Sequence, residues 1–257
     1  HLLNKKLGET PLQTIERFKK ENPEYKDEPM TYAGRLDPMA EGLLLVLSGE
    51  EVKNKDSYLG LEKTYEFEVL WGFETDSLDF LGRVVESHKV HKVYKVEEIQ
   101  DRLIKSVGKF VQKYPAYSSK PVLGPSPLGR TSKPLFQWAR EGRIGEIEIP
   151  EHEVEVFEAE FLERREISEP KLLEEIKQKI SKVTGDFRQK EILSLWSETL
   201  SRGTLDTFTI DRILVKVSSG FYVRQFVSDL AESLGTKALT FHIKRTKVGD
   251  FDVEDCV

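Results

Sequence analysis

Two kinds of apolar spacing, with no βαβ rhythm to join them, predict an α+β fold on a mixed, mostly antiparallel sheet with flanking helices. Thr10-Pro11-Leu12-Gln13 reads as a helix start, with Thr at the N-cap, Pro at N1 and Gln at N3. Leu12, Ile15 and Phe18 then share its apolar face. Tyr65, Phe67, Val69 and Trp71 alternate with Thr64, Glu66 and Glu68, so Lys63–Trp71 is a strand. Val154 and Val156 give way to Phe157, Ala159 and Phe161, a slip of phase that predicts a strand with a bulge. Ile213, Val215 and Val217 mark a further strand, ended by Ser218-Ser219-Gly220. Helical spacing returns at Phe226, Val227, Leu230, Ala231 and Leu234, with Gly235 as the stop. Pro121–Pro134, rich in Pro, Gly and Ser, is expected to be a loop. Ser168–Phe208, with Leu172, Leu173, Ile176, Ile180 and Val183 at helical spacing, is expected to be a helical excursion between two strands.

The chain has 257 residues, enough to bury a full core, and its formal net charge is −6. Its one cysteine, Cys256, closes no intramolecular disulfide, which argues against a secreted, stapled fold. The aliphatic run Leu43–Leu47 is far short of the roughly 20 residues of a membrane helix. No signal peptide opens the chain, and a cytoplasmic location is expected. His1 stands where a Met would begin a natural chain, so trimmed residues are expected before it.

The charge is unevenly placed. Glu141–Glu175 holds thirteen Glu and four Lys/Arg, a net of −9, and is read as a solvated face turned away from any acidic partner. Lys109–Arg140 has six Lys/Arg and no acid, and Arg212–Lys247 has a net of +5. Phe110, Tyr114, Tyr117, Phe136 and Trp138 are interleaved with the first of these basic runs. That is the pattern of a surface that stacks bases and neutralises phosphates. His88-Lys89-Val90-His91 has a two-residue spacer but no Cys or third His nearby, so a zinc site is not expected.

Tyr32-Ala33-Gly34-Arg35-Leu36-Asp37-Pro38-Met39-Ala40-Glu41-Gly42-Leu43-Leu44 is the most informative stretch. Pro38 disfavours helix at Asp37, and the flanking glycines allow close backbone approach. Asp37 can therefore be a carboxylate on a shaped loop at the mouth of a sheet. Asp-Pro more often marks a plain turn, and composition by itself favours that reading.

The longer pattern, Gly-x-Leu-Asp-Pro-x-Ala-x-Gly-x-Leu over Gly34–Leu44, resembles the catalytic loop of the TruB family of pseudouridine synthases. Further stretches line up in the family's order. They are Leu2–Gly8 with Thr10, Lys63-Thr64-Tyr65, then Gly72, Thr75, Asp79 and Gly82. Pro115-Ala116-Tyr117-Ser118 and Ala139-Arg140-Glu141-Gly142 follow. Ser218–Arg224 with Asp229-Leu230 and Leu234-Gly235, and lastly Ile243–Thr246 with Gly249 and Phe251, complete the set. The resemblance runs from Leu2 to about Val257, interrupted by the additions at about 121–134 and 168–208.

It implies a single catalytic domain over residues 1–257, with a central RNA-binding cleft and without the C-terminal PUA domain that many members append. It implies isomerisation of uridine to pseudouridine in the T-arm of tRNA, at position 55, by a flipped-base mechanism. Asp37 is the implied nucleophile and Arg224 its partner, whose guanidinium would orient the carboxylate. Tyr65 is implied as the ring stacked on the target base, close enough to assist proton transfer. The implied substrate contacts are Tyr32, Gly34, Asp79, Tyr117, Lys120, Tyr222 and Ile243. Tyr65 and Ile243 would equally pass as core residues of alternating strands. No cofactor and no metal are expected, since the isomerisation has no redox step. The expected partner is RNA, with no membrane contact, and the chain is expected to be a monomer.

Recognition residues depart from the family pattern. Tyr32 stands in the place of a His, Pro121 in that of a Lys with Lys120 adjacent, and Lys5-Lys6 in that of Lys-Pro; Pro125–Ser132 is extra. The same chemistry on another structured RNA therefore stands as an alternative. So does an RNA-binding or RNA-folding protein without turnover, though binding alone would not require Asp37, Tyr65 and Arg224 together. A third alternative is an assembly factor that docks a protein on Ser168–Phe208; such spacing more often marks a core-facing helix.

Overall fold

The structure is a computed structural model that describes residues 1–87, 94–127, 129–202 and 206–257. His88 and His91 lie outside the described residues. The first strands are β1 (Leu2–Lys5), β2 (Met30–Ala33), β3 (Ala40–Ser48), β4 (Lys63–Trp71), β5 (Phe73–Thr75) and β6 (Val84–Ser87). There follow β7 (Gly108–Lys113), β8 (Pro121–Ser126), β9 (Gly129–Pro134), β10 (Glu151–Ser168), β11 (Thr207–Val217), β12 (Ala238–Val248) and β13 (Phe251–Asp252). The helices are α1 (Pro11–Glu21), α2 (Lys55–Leu59), α3 (Val96–Lys105), α4 (Leu135–Arg140), α5 (Glu169–Ser181), α6 (Gln189–Ser201) and α7 (Val223–Ser233).

Among the described residues, nine strands form one sheet in the order β1-β3-β12-β4-β11-β10-β7, with β2 on β3 and β13 on β12. Every pairing is antiparallel except β3 with β12. The fold is thus α+β with a mixed, mostly antiparallel sheet. β3 is buried on both faces, which explains its unbroken aliphatic run. Leu44 and Val46 pack on Ile15 and Phe18 of α1, whereas Leu43, Leu45 and Leu47 pack on Val248.

Local chemistry accounts for most of the elements. The Thr10 hydroxyl accepts from Gln13 N at 3.2 Å and Gln13 Oε1 accepts from Thr10 N at 2.7 Å, a reciprocal cap that starts α1. Ile15 and Phe18 are buried as expected, but Leu12 is 59% exposed and leaves the apolar face. At N2 it faces a surface cavity beside Asp37 instead of the sheet. β10 carries register shifts between Val156 and Glu158 and between Phe161 and Glu163, the first at the predicted slip of phase. Glu151, Glu153 and Glu163 of β10 pair with Lys113, Lys109 and Arg212 on its neighbours. Such exposed pairs contribute up to about 1 kcal/mol each, so β10 is held mainly by Val154, Val156 and Ile167 in the core.

The expected loop over Pro121–Pro134 is instead a hairpin, β8 with β9, outside the main sheet. In a two-stranded ribbon each strand has one open edge, so prolines without an N–H donor sit in the ladder at little cost. The ribbon lies on Trp138, which is fully buried; a Cβ on Gly124 would come within 2.6 Å of that ring. Lys133 Nζ caps the Trp138 ring at 3.9 Å. Two of the five interleaved aromatics of this segment are therefore packing residues, since Phe110 also packs on the core, edge-on to Phe221.

α5 and α6 form the connection from β10 to β11. Leu172, Ile176 and Ile180 of α5 and Ile192, Trp196 and Leu200 of α6 are buried in the principal core with β4 and β11. Their apolar stripes face inward, which removes the basis for a protein-docking face there. No helix among the described residues is long and apolar enough to cross a membrane.

Candidate active site

Asp37 lies in the turn between β2 and β3. Leu36 and Met39 on either side are buried in the core and anchor the turn. Asp37 O accepts from Ala40 N at 3.0 Å, so Asp-Pro makes a turn and also presents a carboxylate. Gly34 opens this segment at φ +84°. Two buried cations fasten its ends. Arg245 donates to Leu43 O at 2.8 Å and to Gly34 O at 3.2 Å, and Lys5 donates to Ala40 O. Burial pushes the Lys5 amine down to about 8, against the opposing pull of Asp37, Glu9 and Glu41.

Arg224, in the first turn of α7, reaches the same carboxylate. Its Nη2 is 2.7 Å from Asp37 Oδ2, with side-chain exposures of 3% and 31%. Nη1 donates to Ser77 O at 2.7 Å and Nη2 to Tyr117 O at 3.2 Å. Asp79 sits beneath, its Oδ2 3.6 Å from Arg224 Nε. Ser77 Oγ and Leu81 N donate to Asp79 Oδ1 at 2.9 Å and 2.8 Å. Burial raises the Asp79 carboxyl to about 6 even so, with Arg224 and Ser77 opposing and the charge of Asp37 reinforcing. One guanidinium thus serves an outer and an inner carboxylate.

A cavity of about 240 Å³ opens at Asp37. Tyr65 from β4, Ile243 from β12, Tyr222 and Arg224 at the start of α7, and Gly34 line it. The backbone of Tyr222 is clamped by the buried Gln112, which accepts from its N at 2.8 Å and donates to its O at 3.1 Å. Burial, with Asp37 second, pushes the Tyr222 phenol up to about 12, so it keeps its proton at neutral pH. A second cavity, of about 440 Å³, shares Asp37 and Arg224 and holds Tyr32 and Tyr117. Tyr117 donates to Asp76 Oδ2 at 2.9 Å. Burial first, then Asp76, raises its phenol to about 12. The Tyr32 hydroxyl accepts from Arg35 Nη2 at 3.3 Å.

Nine of the ten residues singled out in the sequence thus gather at Asp37. Lys120 does not: it lines neither cavity, and its Nζ lies 5.0 Å from the centre of the Tyr114 ring. Sequence reasoning missed Arg245 and Lys63. Lys63 lines the smaller cavity, where its Nζ donates to Leu59 O at 2.8 Å and burial lowers it to about 8. Arg245 shares a strand face with Ile243 two residues before it, and that alternation is the signal that would have found it.

Residues 24–185 match the N-terminal domain of the TruB family of pseudouridylate synthases. The chain belongs to that family. Among its relatives, the tRNA pseudouridine synthase B of Caldanaerobacter subterraneus subsp. tengcongensis is 30% identical over 230 residues, 90% of this chain and 62% of that protein. That of Aquifex aeolicus is 25% identical over 256 residues, 100% of this chain and 70% of the relative. Among solved structures, a Cbf5-Nop10-Gar1 complex aligns with TM-score 0.56 at 16% identity, covering 98% of this chain and 49% of that one. This TruB-family chain therefore has the fold of a pseudouridine synthase, and it spans 62% of the first relative's length.

Proposed function

We propose that this chain isomerises uridine to pseudouridine in the T-arm of tRNA, with Asp37 as nucleophile. The observation that carries the reading is the Asp37–Arg224 ion pair, 2.7 Å long, at the mouth of a cavity with room for one pyrimidine. In the isomerisation the N1–C1′ bond breaks, the base turns, and a C5–C1′ bond forms. The proton on C5 leaves and N1 gains one, so atoms and electrons balance with no oxidant. Covalent attack by the Asp37 carboxylate divides one difficult step into easier ones. Arg224, held from behind by Ser77 O and Tyr117 O, fixes the direction of attack. Tyr65 stacks on the base, while Ile243 and Tyr222 close the cavity around it.

Drawing the uridine from its stack costs a few kcal/mol. One base stacked on an aromatic ring returns about 1–3 kcal/mol, so Tyr65 offsets much of that cost and phosphate contacts supply the remainder. Tyr32 at the lip of the larger cavity, in place of the family's His, favours a second reading, the same chemistry on another structured RNA. Mapping the sites lost on deletion separates the two.

The test is incubation with unmodified tRNA transcript followed by nucleoside analysis. Wild type is expected to form pseudouridine at the T-loop uridine. Asp37→Asn is expected to form none while binding the transcript within several-fold of wild type. Turnover by Asp37→Asn would refute the assignment.

A further inference from the structure

The larger cavity has a wall that the family motifs do not supply. Asp186, Phe187 and Arg188, in the link between α5 and α6, line it just beyond residue 185, where the family match ends. This link is tied down on three sides. Thr184 Oγ1 accepts from Gln13 Nε2 of α1 at 2.7 Å, and Asp186 pairs with Arg140 of α4 at 2.7 Å. Arg188 pairs with Asp76 at 2.8 Å and lies 4.9 Å from the Tyr117 ring centre. Gln189 also closes the link on itself, donating to Gly185 O at 2.7 Å and accepting from Phe187 N at 3.0 Å. Phe187 is half-buried, packs in part against the principal core and lines the cavity, as does Phe136 of α4.

The cavity's size, about 440 Å³, falls in the range of ligand pockets. Much of its lining is apolar, including Leu12, whose exposure has no packing role. Arg35 at the junction of the two cavities makes no ion pair among the described residues and is exposed. An apolar, aromatic slot edged by a guanidinium that donates to the Tyr32 hydroxyl and has no carboxylate partner among the described residues suits a planar base joined to a phosphate. Because both cavities meet at Asp37, an RNA strand with its target base in the smaller one passes Arg35 and brings its neighbour to the larger.

We propose that the larger cavity is a subsite for the unstacked nucleotide next to the target uridine, and that Phe187 is the base-stacking, specificity-determining residue of that subsite. The inference rests on the RNA reading above. The helical excursion is then a selector built into the site.

The test is a binding cycle with an unmodified tRNA transcript and two versions of it, abasic at the nucleotide on the 5′ or the 3′ side of the target. Wild type should lose about tenfold in affinity for one of the abasic transcripts, the effect of one stacked base. Phe187→Ala should lose about tenfold on the intact transcript and no more on that abasic one. Phe187→Tyr, which keeps the ring, should restore the intact affinity and shows that the alanine loss is not misfolding. Losses that multiply on both abasic transcripts, an unaffected Phe187→Ala, or no binding of transcript by wild type would each overturn the subsite. A cycle that closes as expected while wild type forms no pseudouridine supports the subsite and strikes the catalytic reading alone.

Discussion

Arg224 is shared by two carboxylates in unequal surroundings, and pH should tell them apart. Asp37 is 31% exposed, whereas Asp79 is sealed beneath the guanidinium with its carboxyl raised from 3.8 to about 6. Between those values the native state holds a proton that the unfolded chain has released. The contribution of Asp79 to stability is therefore greatest below about 4 and declines as pH rises to about 6. Asp79→Asn mimics the protonated form at every pH. Relative to wild type, it should gain up to about 3 kcal/mol between pH 4 and pH 7. Urea unfolding of both proteins at the two pH values measures this, the other carboxyls cancelling in the difference; an unchanged or opposite gap refutes it. Asp37 and Arg224 were legible as candidates because each stands in a motif with unusual neighbours, and Tyr65 only through the family resemblance, since its alternating strand reads equally well as core. Arg245 shows only its shared strand face with Ile243, because its partners are backbone carbonyls of a distant segment; Lys63 donates to the nearby carbonyls of Leu59 and Leu61, and a carbonyl carries no sequence signature.

The elements were legible wherever their chemistry is local. The Thr10–Gln13 cap and the phase slip of β10 are short-range events, written in neighbouring residues. The hairpin of β8 and β9 is not, since its prolines read as a loop until Trp138 supplies the surface it lies on. The β3–β12 pairing depends on a similar long-range fit. Gly42 sits at φ +102°, and a Cβ there would lie 2.4 Å from Arg245 O on the parallel partner strand. No side chain can yield, because both sides of the clash are backbone. Gly42→Ala should therefore force β3 and β12 apart and cost at least about 2 kcal/mol in urea unfolding, with the Asp37 turn displaced along with its strand. Full stability in that variant would show that the two strands do not approach so closely.

At the scale of the whole molecule, the apolar spacing suggested a core with a helical segment added, whereas that segment packs into the core itself. α5 and α6 bury their apolar stripes in the same cluster as β4, β11 and α7. Trp196 of α6 is fully buried, donates from Nε1 to Phe80 O at 3.1 Å, and packs 5.2 Å from the Phe73 ring centre. Phe73 and Phe80 flank the turn that carries Ser77 and Asp79, so this one indole braces the support of Arg224 from below. Trp196→Ala should cost about 3–5 kcal/mol through the cavity it leaves, with Phe80 O losing its donor as well. A helical segment that were merely appended would melt alone, leaving the sheet and the remaining Trp71 and Trp138 unaffected. Packed as it is, the variant should unfold in one transition, coincident by far-UV circular dichroism and by fluorescence, at a lower urea midpoint. Two separated transitions would show that the helical pair is thermodynamically independent of the site it borders.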